Sequence, residues 1–84
     1  MSYLIEWHPQ AFKELHRLPP PVIQRIISKL DVVAEQPFRY LDHYEGKSIF
    51  KLRIGTYRLL IDIEPQEKIM FVRLFDKRSR AYKR

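Results

Sequence analysis

Eight consecutive residues, Lys51-Leu52-Arg53-Ile54-Gly55-Thr56-Tyr57-Arg58, set three cations among apolar side chains in strict alternation at the start and return at the end. In an extended chain successive side chains point to opposite faces, so Lys51 and Arg53 share one face while Phe50, Leu52 and Ile54 share the other. Gly55-Thr56 reads as a hairpin turn, after which Tyr57-Arg58-Leu59-Leu60-Ile61 resumes the extended pattern and brings Arg58 back to the first two cations. One face enters a core and the other meets an anion, which describes a phosphate cradle. Arginine cannot serve as an ordinary base because its pKa exceeds about 12, so Arg58 is suited to clamp phosphoryl oxygens with two parallel hydrogen bonds. Lys51 differs. Like-charge repulsion among arginines favours its neutral form and makes it the candidate base or proton donor.

Further candidates for the same site are Arg73, Arg78 and the phenols Tyr57 and Tyr82. A site rich in cations and poor in carboxylates suits RNA cleavage through the neighbouring 2′-hydroxyl, in which charge builds on a five-coordinate phosphorus and electrostatic stabilisation carries most of the catalysis. Tyr82 offers a stacking surface for an unpaired base, or a proton. Tyr57 alternates with Arg58 and so points with Leu59 into the core. Arg73 lies between Val72 and Leu74, which puts it on the face of Phe71 and Phe75, as an edge cation or a site residue. His8 reads as a residue at a helix start and His16 as a helix-surface residue, whereas His43 precedes the cationic strand closely enough to be a site candidate. With glycine only at 46 and 55 there is no glycine-rich phosphate loop, and no residues fall at zinc-ligand spacing. The chemistry expected is independent of metal and cofactor.

These residues need a sheet to present them. Tyr3 to Trp7 is aromatic and β-branched enough for a first strand. Pro9 suits the first turn of a short helix with Ala11, Phe12, Leu15 and Leu18 on one stripe, and Pro19-Pro20-Pro21 ends it. From Val22 to about Gln36, Ile23, Ile26, Ile27, Leu30, Val33 and Ala34 recur at helical spacing, and Pro37 bounds the helix. Residues 37 to 48 show neither period and read as a loop with Phe38, Tyr40, Leu41 and Tyr44 turned partly inward. Strands are expected over 49–54, 56–63 and 69–75, neighbours being antiparallel because their connections are short. The fold class expected is α+β: an N-terminal strand and a two-helix hairpin packed on an antiparallel sheet of about four strands.

The 84 residues amount to one domain, 1–84, with one modest core. No apolar run is long enough to span a bilayer and no signal-peptide pattern is present, so a cytoplasmic location with no membrane partner is expected. Cysteine is absent, which removes disulfides, thiolate metal sites and Cys nucleophiles. The formal net charge of +6 is unevenly placed. Residues 1 to 42 hold five Lys/Arg against five Asp/Glu, and residues 43 to 84 hold eleven against five. Such segregation points to a polyanion, or an acidic protein partner, held against the second half.

The segment Phe50-Lys51-Leu52-Arg53-Ile54-Gly55-Thr56-Tyr57-Arg58, followed by Lys77-Arg78-Ser79-Arg80-Ala81-Tyr82, resembles the RelE/ParE superfamily of toxin–antitoxin toxins, most closely its RelE branch. The order strand, two helices, cationic hairpin, strand, Arg and Tyr is similar across nearly the whole chain. The resemblance implies a RelE-like fold and a ribosome-dependent mRNA endonuclease (an mRNA interferase) that cuts the codon in the A site and inhibits translation. Lys51, Arg53, Arg58, Arg78 and Tyr82 fall on the family's catalytic motif. Arg53 stands where some members carry lysine, which favours phosphate binding over a base role. Tyr82 follows Arg78 by only four residues, and the chain stops at Arg84 without the longer C-terminal helix of some members. The implied partners are a RelB-like antitoxin that wraps the toxin, and the ribosome with its mRNA. The alternative within the superfamily is a ParE-like inhibitor of DNA gyrase that catalyses nothing.

Overall fold

Proline marks where the helices of the first half begin. In the structure, a computed structural model describing residues 2–46 and 48–77, strand β1 (Leu4–Trp7) leads into α1 (Pro9–Leu15), α2 (Pro20–Glu35) and the single turn α3 (Pro37–Tyr40). Each helix has proline in its first positions, where the missing N–H has no intrahelical acceptor to lose. His8 occupies the N-cap of α1, its Nδ1 accepting from the Gln10 N–H at 3.1 Å. The second half is a run of strands: β2 (Asp42–Glu45), β3 (Ile49–Ile54), β4 (Tyr57–Glu64) and β5 (Ile69–Lys77).

The strands form one sheet in the order β1-β5-β4-β3-β2. The α+β architecture is as expected, with two refinements. First, β1 runs parallel to β5, with Leu4 opposite Ile69 and Trp7 opposite Val72. The rule that short connections make antiparallel neighbours applies to strands consecutive in sequence, and it says nothing about two that meet from opposite ends of the chain. The sheet is therefore mixed. Second, part of the expected loop forms α3 and the fifth strand, β2. Asp42, His43 and Tyr44 on this edge strand are all exposed, so β2 buries no alternating set and leaves no periodic signal. Of the loop residues expected to turn inward, Leu41 is buried, whereas Phe38, Tyr40 and Tyr44 are exposed.

One face of the sheet is covered. Leu52, Ile54, Leu59, Ile61, Ile63, Met70 and Val72 meet Ala11 and Leu15 of α1 and Ile26, Leu30, Val33 and Ala34 of α2 in a single core. Leu59, Ile61, Met70 and Val72 are fully inaccessible to solvent, so β4 and β5 form the centre of that core. No helix among the described residues is long and apolar enough to cross a membrane.

The opposite face is open, and a register shift changes what it displays. Leu60 lies opposite Leu74 and Ile61 opposite Val72, which leaves Arg73 as an extra residue in β5. This β-bulge re-aims the residues after it. Met70, Val72 and Phe75 all enter the core, while Arg73 and Leu74 are both exposed. The sequence expectation that Arg73 shares a face with Phe75 is thus corrected, because strict alternation fails at the bulge. A spacing of three between apolar positions 72 and 75 was the available signal.

Candidate functional site

The cationic cluster is built by β3 and β4. Ile54 lies opposite Tyr57, so the loop between them is the two residues Gly55-Thr56. Gly55 has a φ of 61° and Thr56 a negative one, the signature of a type II′ turn, whose first central position favours glycine and whose twist matches a tight hairpin. A Cβ on Gly55 would stand 3.2 Å from Nη2 of Arg25, an exposed side chain on α2. That side chain can shift, so backbone conformation dominates the cost. Gly55→Ala is expected to lower stability by about 1–2 kcal/mol, read as a smaller denaturant midpoint with an unchanged slope.

The turn fixes the register that brings the cations together. Arg53 lies directly opposite Arg58, and Lys51 lies opposite Leu60. Opposed Cα atoms are about 4.5–5.5 Å apart, and Lys51 and Arg53 are separated by about 6.5 Å along β3. Lys51, Arg53 and Arg58 therefore share one patch of the open face, with Arg53 exposed and the other two half-buried. Leu52 and Ile54 alternate inward, 4% and 6% exposed, which anchors the strand beneath the charges. This is the arrangement that alternation predicted.

A like-charged pair directly across two strands works against the fold. Arg53 has no ion-pair partner among the described residues. We expect Arg53→Thr to stabilise the protein by about 0.5 kcal/mol, a rise of a few degrees in Tm, while weakening polyanion binding measured by salt-dependent titration. An unchanged Tm with unchanged binding would show that Arg53 is merely solvated.

The patch also has acidic borders that the sequence pattern did not show. Asp42 is opposite Lys51, and Asp62 forms an ion pair with Arg73 at 3.9 Å. With side chains 48% and 38% exposed, the Arg73–Asp62 pair contributes at most about 1 kcal/mol. Arg73, on the bulge of β5, is thus paired with an acid and is not one of the three cations set together by the β3–β4 register. Beside that patch Tyr44, Ile49, Leu60, Arg73 and Leu74 line a groove of about 340 Å³. Sequence reasoning missed this groove because two of its walls depend on register shifts.

The remaining candidates separate cleanly. Tyr57 stacks on Phe75, ring centroids 5.3 Å apart, and packs against the core, as alternation indicated. His43 pairs with Phe50 across β2 and β3 and contacts its ring at 5.6 Å. That places His43 on the opposite parity from Lys51, with Nε2 hydrogen-bonded to the Gly46 carbonyl, so it is not part of the cluster. His16 bonds the Phe12 carbonyl through Nδ1 at 3.0 Å on the surface of α1. Arg78 and Tyr82 lie outside the described residues. Among the described residues no group of three or more His, Cys, Asp or Glu is placed to hold a metal ion.

The family model for the ParE toxin of type II toxin–antitoxin systems matches residues 5–82, spanning the strand, helices and hairpin just described. The chain belongs to this family, within the RelE/ParE toxin superfamily. It is 28% identical over 87 residues to the toxin RelG of Mycobacterium tuberculosis, with all of both chains covered. Among solved structures, a chain of the toxin–antitoxin complex RelBE2 from Mycobacterium tuberculosis superposes with a TM-score of 0.82 at 25% identity, covering 93% of this chain and 100% of that one. A chain of the archaeal RelE–RelB complex from Pyrococcus horikoshii gives a TM-score of 0.83 at 23% identity, over 95% of this chain and 99% of that one. The protein is a type II toxin with the RelE fold.

Proposed function

We propose that this toxin is a ribosome-dependent endoribonuclease that cuts mRNA in the A site and thereby stops translation. The observation that carries the reading is the convergence of Lys51, Arg53 and Arg58 on one face of the β3–β4 hairpin. In the reaction the 2′-oxygen attacks the adjacent phosphorus as the P–O5′ bond breaks, giving a 2′,3′-cyclic phosphate and a 5′-hydroxyl. Arg58 clamps the non-bridging oxygens as negative charge builds on them, and Arg53 holds phosphate beside it. Lys51 takes the 2′-hydroxyl proton or supplies one to the leaving oxygen. The same reading assigns Arg78 to phosphate binding and Tyr82 to stacking or proton transfer. Its partner in the resting cell is a RelB-like antitoxin, as in the RelE–RelB complexes the fold resembles, wrapped so that the basic half is neutralised.

A second reading is favoured by one observation, the ParE description of the matching family model: binding to DNA gyrase with no catalysis. The two separate in a single experiment. Purified toxin is added to a translating extract and mRNA ends are mapped by primer extension, with a gyrase supercoiling assay alongside. Cuts in codon register support the nuclease. Intact mRNA with blocked supercoiling sinks it.

A further inference from the structure

The sheet contains two register shifts, and both fall on the same groove. Tyr44 is the extra residue of β2, between the pairs His43–Phe50 and Glu45–Ile49, and Arg73 is the extra residue of β5. Bulges re-aim side chains and are enriched beside functional sites. Here they stand Tyr44 and Arg73 as walls over a floor of Ile49, Leu60 and Leu74. Tyr44 and Leu74 are 47% and 49% exposed, a large apolar investment on a face that no helix among the described residues covers. Its volume of about 340 Å³ lies within the roughly 300–1,000 Å³ of small-molecule sites.

The position of the groove decides its occupant. Leu60 lies opposite Lys51 on one side and Leu74 on the other, so the floor is continuous with the cationic patch along one cross-strand row. The cradle of Lys51, Arg53 and Arg58 and this floor are therefore neighbours on one face of the sheet. Arg73, paired with Asp62 at 3.9 Å, adds a guanidinium to the lining. An aromatic ring, an apolar floor and a guanidinium next to a phosphate cradle match an unpaired nucleobase, which is recognised by stacking and by hydrogen bonds at its edge.

We propose that the groove between Tyr44 and Arg73 is a nucleobase subsite, and that it seats one base of the strand whose phosphate lies in the cradle. This rests on the nuclease reading and extends the site from the phosphate to one base of the same strand. Tyr44 acts by stacking, so its ring is needed and its hydroxyl is not.

The test is single-turnover cleavage on stalled ribosomes carrying synthetic mRNA, the A-site codon being intact or abasic at each of its three positions in turn. Stacking of one base corresponds to about 5- to 150-fold, so one abasic position should slow the wild-type toxin by an amount in that range. Tyr44→Ala should lose a similar factor on the intact codon and nothing further on that abasic one, and Tyr44→Phe should behave as wild type. The subsite is overturned if the Tyr44→Ala and abasic losses multiply, or if no abasic position affects the wild type. If the wild-type toxin cuts no codon at all while blocking gyrase, the nuclease reading falls and the subsite with it. Cleavage that is indifferent to Tyr44 removes the subsite alone.

Discussion

Arg58→Ala is expected to lower mRNA cleavage by about 10²–10³-fold while leaving the folded structure intact. Arg58 stands directly opposite Arg53 and diagonal to Lys51, where its fork can grip the two non-bridging oxygens of a phosphate together. Removing a donor aimed at developing charge costs catalysis far more than it costs ground-state binding, because the interaction strengthens as the five-coordinate phosphorus forms. The fold should survive because Arg58 belongs to the open face, and its neighbours along β4, Tyr57 and Leu59, carry the packing. Arg58→Lys retains the charge and loses the parallel pair of hydrogen bonds, so an intermediate rate is expected. The measurement is single-turnover cleavage beside far-ultraviolet circular dichroism and Tm. A collapsed spectrum would make Arg58 structural. Full activity with a native spectrum would remove the clamp from the mechanism.

What could be read from the sequence follows from where each signal resides. Alternation in Phe50 to Ile54 is a local property, so the sidedness of Lys51 and Arg53 and the inward turn of Leu52 and Ile54 were legible. The hairpin was legible from Gly55-Thr56, and the return of Arg58 with it. The helices were legible because proline starts and α2's apolar spacing agree. The parallel pairing of β1 with β5 was not, since it depends on two segments that are distant in sequence and connected by helices. Strand β2 leaves no signal because an exposed edge strand has no buried face to impose a period. The two bulges matter most for function. Sequence pattern alone makes Tyr44 a loop aromatic turned inward and puts Arg73 on the face of Phe75. A one-residue insertion reverses such an assignment for every residue beyond it, so the groove that both help to form became visible only with the register in place. The acidic borders at Asp42 and Asp62 are likewise cross-strand facts.

Ile61→Ala should have the largest effect on stability of any substitution proposed, about 2–5 kcal/mol. Ile61 is fully buried in β4, the strand flanked by β3 and β5, and it lies opposite Phe50 and Val72. Truncation removes packed atoms beneath the sheet and leaves a cavity that paired strands on both sides prevent from collapsing. A domain of this size has only about 4–13 kcal/mol of total stability, at roughly 0.05–0.15 kcal/mol per residue. A loss near 3 kcal/mol would lower Tm by about 12–24 °C. Calorimetry and urea denaturation measure it, with the midpoint expected to fall and the slope to hold. Because Arg58 and Leu60 ride on the same strand, activity should vanish as the variant melts and be normal on a per-folded-molecule basis well below that temperature. Arg58→Ala is expected to show the converse, an intact fold with cleavage slowed by about 10²–10³-fold. If Ile61→Ala proved inactive while still fully folded, the core of β4 would be transmitting strain to the patch above it, and the separation of the covered face from the catalytic face would fail.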